Sequence, residues 1–243
     1  MEFALSEEQE ILTDSIKKML DENISIDNLR EHSKGDKSLR KSIRKSIVDM
    51  GLPGLMIPEE YGGSGLGVLE ASLVAEQLGS YAVPTPWIGN SIMIPTAILF
   101  EKDNNFAEKW LPLIASGEIT ACISLSEFIG KRGDLGLTIS GDKVSGISIF
   151  GIDGELDPAI IITAVDNNLI IIETDNNGVE INEIPTIDST RPVVEIIFDS
   201  SNYLIIPGGK EVIQKTIDVG RIGIAGDLLG ASQNMINKAV EYS

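Results

Sequence analysis

A thiol, an imidazole and a glycine-rich loop are the groups in this chain that invite chemistry first, and each limits it. Cys122 stands in the apolar run Ala121-Cys122-Ile123. A reactive thiol needs an electropositive, accessible setting, so Cys122 reads as a small core residue. As the only cysteine it excludes a disulfide framework, which fits a reducing compartment. His32 is the only histidine and lies in the polar stretch Arg30 to Lys37. Histidine-rich zinc sites are thereby excluded, and a Ser-His or Cys-His device would rest on this residue alone. Gly62-Gly63-Ser64-Gly65-Leu66-Gly67 suggests a phosphate cradle. It lacks the Walker spacing with its Lys-Ser/Thr ending, and no strand with a GxGxxG turn precedes it. The loop reads instead as the start of a helix held close to a neighbour. Lys and Arg number 19 against 37 Asp and Glu, a net charge of −18. That balance excludes nucleic acid as a partner and disfavours anionic membranes.

The elements that position these groups follow a simple order. Ser6-Glu7-Glu8-Gln9 is a capping box, and Ile11, Leu12, Ile16, Met19 and Leu20 continue it at helical spacing. Ile24 to Asp36 reads as a polar connection. Lys37 to Met50 reads as a second helix with Leu39, Ile43, Ile47 and Val48 inward, closed by Gly51. A long helix over Leu69 to Ser80, a short buried one over Ile92 to Phe100 and another over Phe106 to Ser116 complete the first part. From Ile119 to Phe198, β-branched runs alternate with turns such as Asp166-Asn167-Asn168 and Asp175-Asn176-Asn177-Gly178, the pattern of antiparallel strands. After Gly208-Gly209 the spacing predicts one long helix, or two nearly continuous ones, over Glu211 to Ser243. Val212, Ile213, Ile217, Ile222, Ile224, Leu228, Leu229, Met235, Ile236 and Val240 are its apolar positions. Gly220, Gly223, Gly226 and Gly230 imply a very close neighbour, either a helix or a flat ligand. The class is α+β, with helices over 1–118, a β domain over 119–207 and a helical segment over 208–243. No run reaches the roughly 18 apolar residues of a membrane span, and no signal peptide opens the chain; the expected location is cytoplasmic.

Several strings in this order resemble the acyl-CoA dehydrogenase family. They are Phe3-Ala4-Leu5-Ser6-Glu7-Glu8-Gln9, the loop Pro58-Glu59-Glu60-Tyr61-Gly62-Gly63, Trp110-Leu111-Pro112 with Gly117-Glu118, Leu125-Ser126-Glu127, and Asp188-Ser189-Thr190-Arg191-Pro192. The resemblance implies an N-terminal all-α domain, a middle antiparallel β-barrel-like domain and the start of a C-terminal helical bundle. It also implies FAD as cofactor and oxidation of an acyl-CoA thioester to its 2,3-enoyl form. In that chemistry a carboxylate removes the α-proton while the β-hydride passes to flavin N5. An electron-transfer flavoprotein or similar acceptor and a homo- or hetero-oligomer follow from the same likeness.

Residue by residue, the resemblance sets Leu125 and Ser126 against the flavin, with Ser in place of the family's Thr. The family's Trp-Ile-Thr segment is here Phe150-Gly151-Ile152; Phe150 keeps an aromatic ring, Ile152 loses a hydroxyl, and an ordinary core role for Phe150 stands equally. Lys131 and Arg132 are read as candidate contacts to substrate phosphates, or as solvated loop residues. Arg191 is expected to pair with Asp188. A base carried in this helix by some members aligns with Gly220, so that position is empty. Asp227, two helical turns further along the same face, is the candidate base, with a solvated or helix-contact acid as its plainer reading. The sequence ends before the family's Arg-x-Gln-Phe-Gly motif, and the rival reading is a non-catalytic partner subunit or an inactive fragment.

Overall fold

Ser6 starts the first helix as its pattern predicts. Its hydroxyl accepts from the Gln9 amide at 3.3 Å, and its own amide donates to Gln9 Oε1 at 3.0 Å. The structure is a computed structural model, and it describes residues 4–100, 105–125, 135–154, 157–175, 178–188 and 190–243. Helix α1 spans Glu7–Asn23 and α3 spans Ser38–Asp49. Between them lies a helix that the polar composition concealed: α2, Ile26–Ser33, opened by a second capping box of Ser25 and Asn28. The stretch Ile24 to Asp36 is therefore not a plain connection. His32 is buried in α2, where Nδ1 donates to the Asp36 carbonyl at 2.8 Å.

The glycine-rich loop folds back on itself. A side chain on Gly63 would lie 2.0 Å from the Ile57 carbonyl oxygen, so the backbone itself fills that space. The loop delivers α4, Val68–Ser80, whose first turn is capped by Glu70 accepting from the Gly67 amide at 3.0 Å. A π-helical turn over Ile88–Met93 runs into α5, Ile94–Ile98, and α6 follows over Asn105–Ala115. Ile16, Leu20, Ile43, Ile47, Val74 and Leu78 form the core among α1, α3 and α4.

Among the described residues eight strands make two four-stranded sheets: β1 (Ala121–Ser124), β2 (Gly136–Ser140), β3 (Lys143–Gly151), β4 (Ile160–Val165), β5 (Asn168–Glu173), β6 (Val179–Ile184), β7 (Val193–Asn202) and β8 (Leu204–Ile206). Their orders are β1-β4-β5-β8 and β2-β3-β7-β6. The named pairings are antiparallel apart from β1 with β4, which is parallel. β4 and β5 read as unbroken apolar runs because both of their faces are covered. Ile160, Ile162, Leu169 and Ile171 face α5 and α6, whereas Ile161, Val165, Ile170 and Ile172 face the other sheet. Cys122 is fully buried among this second set.

Helix α7, Gly209–Tyr242, is one continuous helix. Its buried residues are Val212, Ile213, Thr216 and Val219 and then the glycine stripe, where the sequence implies a very close neighbour. A side chain on Gly226 would lie 2.6 Å from the Ser72 carbonyl oxygen, and one on Gly230 would lie 1.8 Å from that of Glu76. The close neighbour is thus α4, packed backbone to backbone. Val212 and Ile213 are buried, but Ile222, Ile224, Leu228, Leu229, Met235, Ile236 and Val240 are exposed.

Candidate functional site

The residues that the resemblance sets beside a flavin lie where β1 ends and β3 turns away. Ile123 of β1 exchanges backbone hydrogen bonds with Ile152, amide to carbonyl, at 3.2 and 2.9 Å. Leu125 and Ile152 are both half-buried and pack on the same core, the one formed by α5, α6 and β1. Phe150 is half-buried with φ of 59°, and the register between β3 and β7 shifts between Ser148 and Gly151. A residue in that left-handed region breaks the pleat and re-aims the strand, as a bulge does. Leu125, Phe150 and Ile152 are thus brought to one corner of the β layer. Ser126, Lys131 and Arg132 lie outside the described residues.

Hydroxyl groups line the interior behind this corner. Ser124 Oγ is 2.7 Å from Ser148 Oγ and donates to the Ile149 carbonyl at 3.0 Å; Ser148 Oγ is 3.4 Å from Thr163 Oγ1. These groups are buried, and the contacts satisfy polar atoms that burial would otherwise penalise. They tie β1, β3 and β4 together, and composition gave no sign of the network.

Asp153, one residue beyond Ile152, has φ of 61°, a conformation that Asp tolerates better than most residues. Its Oδ2 accepts from the amides of Gly89 and Asn90, at 2.7 and 2.9 Å, on the π-helical turn. Asn90 Oδ1 in turn accepts from the Ala121 amide at 2.9 Å. The sequence reading missed both residues; an Asp after a strand at a tight turn was the available signal.

Asp227 sits on the glycine face of α7, and its carboxylate is held by Arg191, Nη2 to Oδ1 at 2.7 Å. Arg191 Nε also donates to the Val83 carbonyl at 3.3 Å. The expectation that Arg191 pairs with Asp188 is corrected: Asp188 Oδ1 instead accepts from the Thr190 amide and hydroxyl, at 2.9 and 2.6 Å. Arg191 reaches past its own loop because α7 crosses there, its Asp227 carbonyl against Gly79 of α4. A cavity of about 30 Å³ lies among Leu78, Thr85, Trp87, Asp153, Arg191 and Asp227, room for about one water molecule. The space beside Gly220, where the resemblance expected a base, is filled from outside the helix: a side chain there would lie 2.7 Å from Met93 Sδ. A larger groove, about 580 Å³, runs between α1, α2, α4 and the second half of α7 and includes none of these residues.

Among the described residues, no group of three or more His, Cys, Asp or Glu side chains is arranged to hold a metal ion. No helix among them is long and apolar enough to cross a membrane.

Comparison with known proteins adds three findings. Residues 6–118 match the acyl-CoA dehydrogenase N-terminal domain. The short-chain specific acyl-CoA dehydrogenase of Sus scrofa mitochondria is 27% identical over 229 residues, covering 82% of this chain and 54% of that protein. The chain thus spans about half the length of that relative. Among solved structures, a chain described under the electron transferring flavoprotein of Acidaminococcus fermentans superposes with a TM-score of 0.85 at 24% identity, covering all of this chain and 70% of its own. The ChsE4-ChsE5 complex of Mycobacterium tuberculosis gives 0.84 at 18% identity, covering 100% and 68%. These two likenesses establish the fold, in agreement with the helices, β layer and helix described above.

Proposed function

We propose that the chain is a member of the acyl-CoA dehydrogenase family, whose N-terminal domain residues 6–118 match, and that it acts in the α,β-dehydrogenation of an acyl-CoA thioester, with FAD as cofactor. Bound FAD supplies the two-electron acceptor for such a reaction. The chain's own residues fit one side of a flat ring: Leu125 and Ile152 are apolar, half-buried and packed on one core, and half-buried Phe150 stands two residues before Ile152 at the end of β3. This corner is the observation that carries the reading. Leu125 and Ile152 would supply a dry wall, and the Ile123–Ile152 backbone pairing would keep it rigid. Ser126 is proposed as the hydroxyl toward the ring, and Lys131 and Arg132 as contacts for substrate phosphates. The proposed electron acceptor is a flavoprotein, and the proposed assembly is a homo- or hetero-oligomer.

Asp227 has two proposed roles, base or docking group. Its ion pair and the roughly one-water cavity beside it support docking more than proton abstraction. Met93 against Gly220 and the absence of a hydroxyl on Ile152 favour a second reading, a non-catalytic subunit paired with an active sister chain.

The test is the visible spectrum of the purified protein after FAD is added and the excess removed. Retained flavin that bleaches with an acyl-CoA supports the enzyme; bleaching that survives Asp227→Asn moves the base elsewhere. Retained flavin that never bleaches favours the subunit reading. A protein that retains no flavin contradicts the proposed cofactor wall.

A further inference from the structure

Six hydrogen-bonding residues, Asp153, Gly89, Asn90, Ala121, Ile123 and Ile152, close a ring around the corner just described. Asp153 accepts from Gly89 and Asn90 of the π-helical turn, and Asn90 accepts from Ala121 at the start of β1. β1 then leads to Ile123, which pairs through its backbone with Ile152, the residue before Asp153. Nothing in this circuit is slack. Asn90 is 3% exposed, and a side chain on Gly89 would lie 2.9 Å from Asp153 Oδ2 and 3.1 Å from both Ile123 and Ile152. Gly89 and Asn90 stand in the first turn of this π-helical stretch, where backbone amides lack helical partners, so one carboxylate oxygen can accept from both.

We propose that Asp153 is a positioning residue for the cofactor: through Gly89, Asn90 and Ala121 it holds the segment Phe150-Gly151-Ile152 at a set distance from the end of β1. The inference rests on the reading of that segment as the flavin wall. Asp153 does not touch the ring. It binds the wall to the helical layer, so that Ile152 keeps its place beside the end of β1. A charge-assisted hydrogen bond is stronger than a neutral one, and the carboxylate caps two amides that lie at the start of a helical turn, where their own partners are missing.

The test compares Asp153→Gly with Asp153→Asn. Glycine accepts the positive φ but removes the carboxylate, which separates the hydrogen bonds from backbone strain. Asparagine keeps an acceptor oxygen. Asp153→Gly is expected to speed amide hydrogen exchange at Gly89 and Asn90 and to raise the FAD dissociation constant about tenfold or more, whereas Asp153→Asn stays within about threefold of the unchanged protein. Equal FAD affinity in Asp153→Gly, with exchange accelerated, overturns the proposal; so does an Asn variant as weak as the Gly one. Should Asp153→Gly fail to fold, Asn90→Ala opens the same ring at Ala121, and unchanged FAD affinity there overturns the proposal equally. An unchanged protein that takes up no FAD removes the cofactor-wall reading and this inference together. Any other failure leaves that reading standing.

Discussion

Arg191 and Asp227 join the β layer to α7, with side chains 32% and 18% exposed. A pair this sheltered is worth more than a surface ion pair, though desolvation offsets much of its Coulomb gain. A double-mutant cycle of Arg191→Ala and Asp227→Asn is expected to give a coupling of about 1–2 kcal/mol in urea unfolding. A coupling near zero would mean that the two charges are already satisfied by water. Glu70 is another residue with a directional consequence. Its carboxyl is held below its ordinary value of 4.5, first by the Gln9 side-chain amide, 2.8 Å away, against a smaller opposing effect of burial. A carboxyl whose folded pKa is lowered contributes stability that is present above its ordinary pKa and lost as pH falls through the lowered one. Thermal midpoints measured downward from pH 7 should therefore drop below pH 4.5, and Glu70→Gln should flatten that drop.

At the scale of elements, the contact of α4 with α7 depends on the absence of side chains. Gly79 meets the Asp227 carbonyl, and Gly226 and Gly230 meet those of Ser72 and Glu76. Glycine weakens a helix by about 1 kcal/mol relative to alanine, so in isolation Gly230→Ala would stabilise α7. In the folded protein a methyl group 1.8 Å from the Glu76 oxygen must push the helices apart. Gly230→Ala is expected to lower stability by about 3 kcal/mol, read as a shift of the urea midpoint. An unchanged or raised midpoint would show that the two helices separate easily.

At the scale of the molecule, α7 is apolar on both flanks of its glycine stripe. Leu228, Leu229, Met235 and Ile236 are each more than half exposed. Exposed apolar side chains gathered along one helix mark an interaction site. Sedimentation velocity is expected to show concentration-dependent association, reduced by the pair Leu229→Lys and Ile236→Lys. A monomer at every concentration would contradict the proposed oligomer.

Short-range pattern carried the fold a long way. The Ser6 capping box, the inward positions of α3, the strands over 143–151, 160–173 and 193–202 and the long α7 are local matters of spacing and turn chemistry, so the sequence determines them without reference to the rest of the chain. Cys122 in the core is legible for the same reason. What only the tertiary structure decided are meetings between residues far apart in the chain: Arg191 with Asp227 and not Asp188, Asp153 with the π-helical turn, β1 parallel to β4, and α4 as the neighbour that Gly226 and Gly230 meet. Helical spacing sorts residues into faces but does not say which face a neighbour covers. Here backbone-to-backbone packing put Gly226 and Gly230 inside and left Leu228, Leu229, Met235 and Ile236 exposed, because a Cβ added at either glycine would meet a carbonyl oxygen of α4.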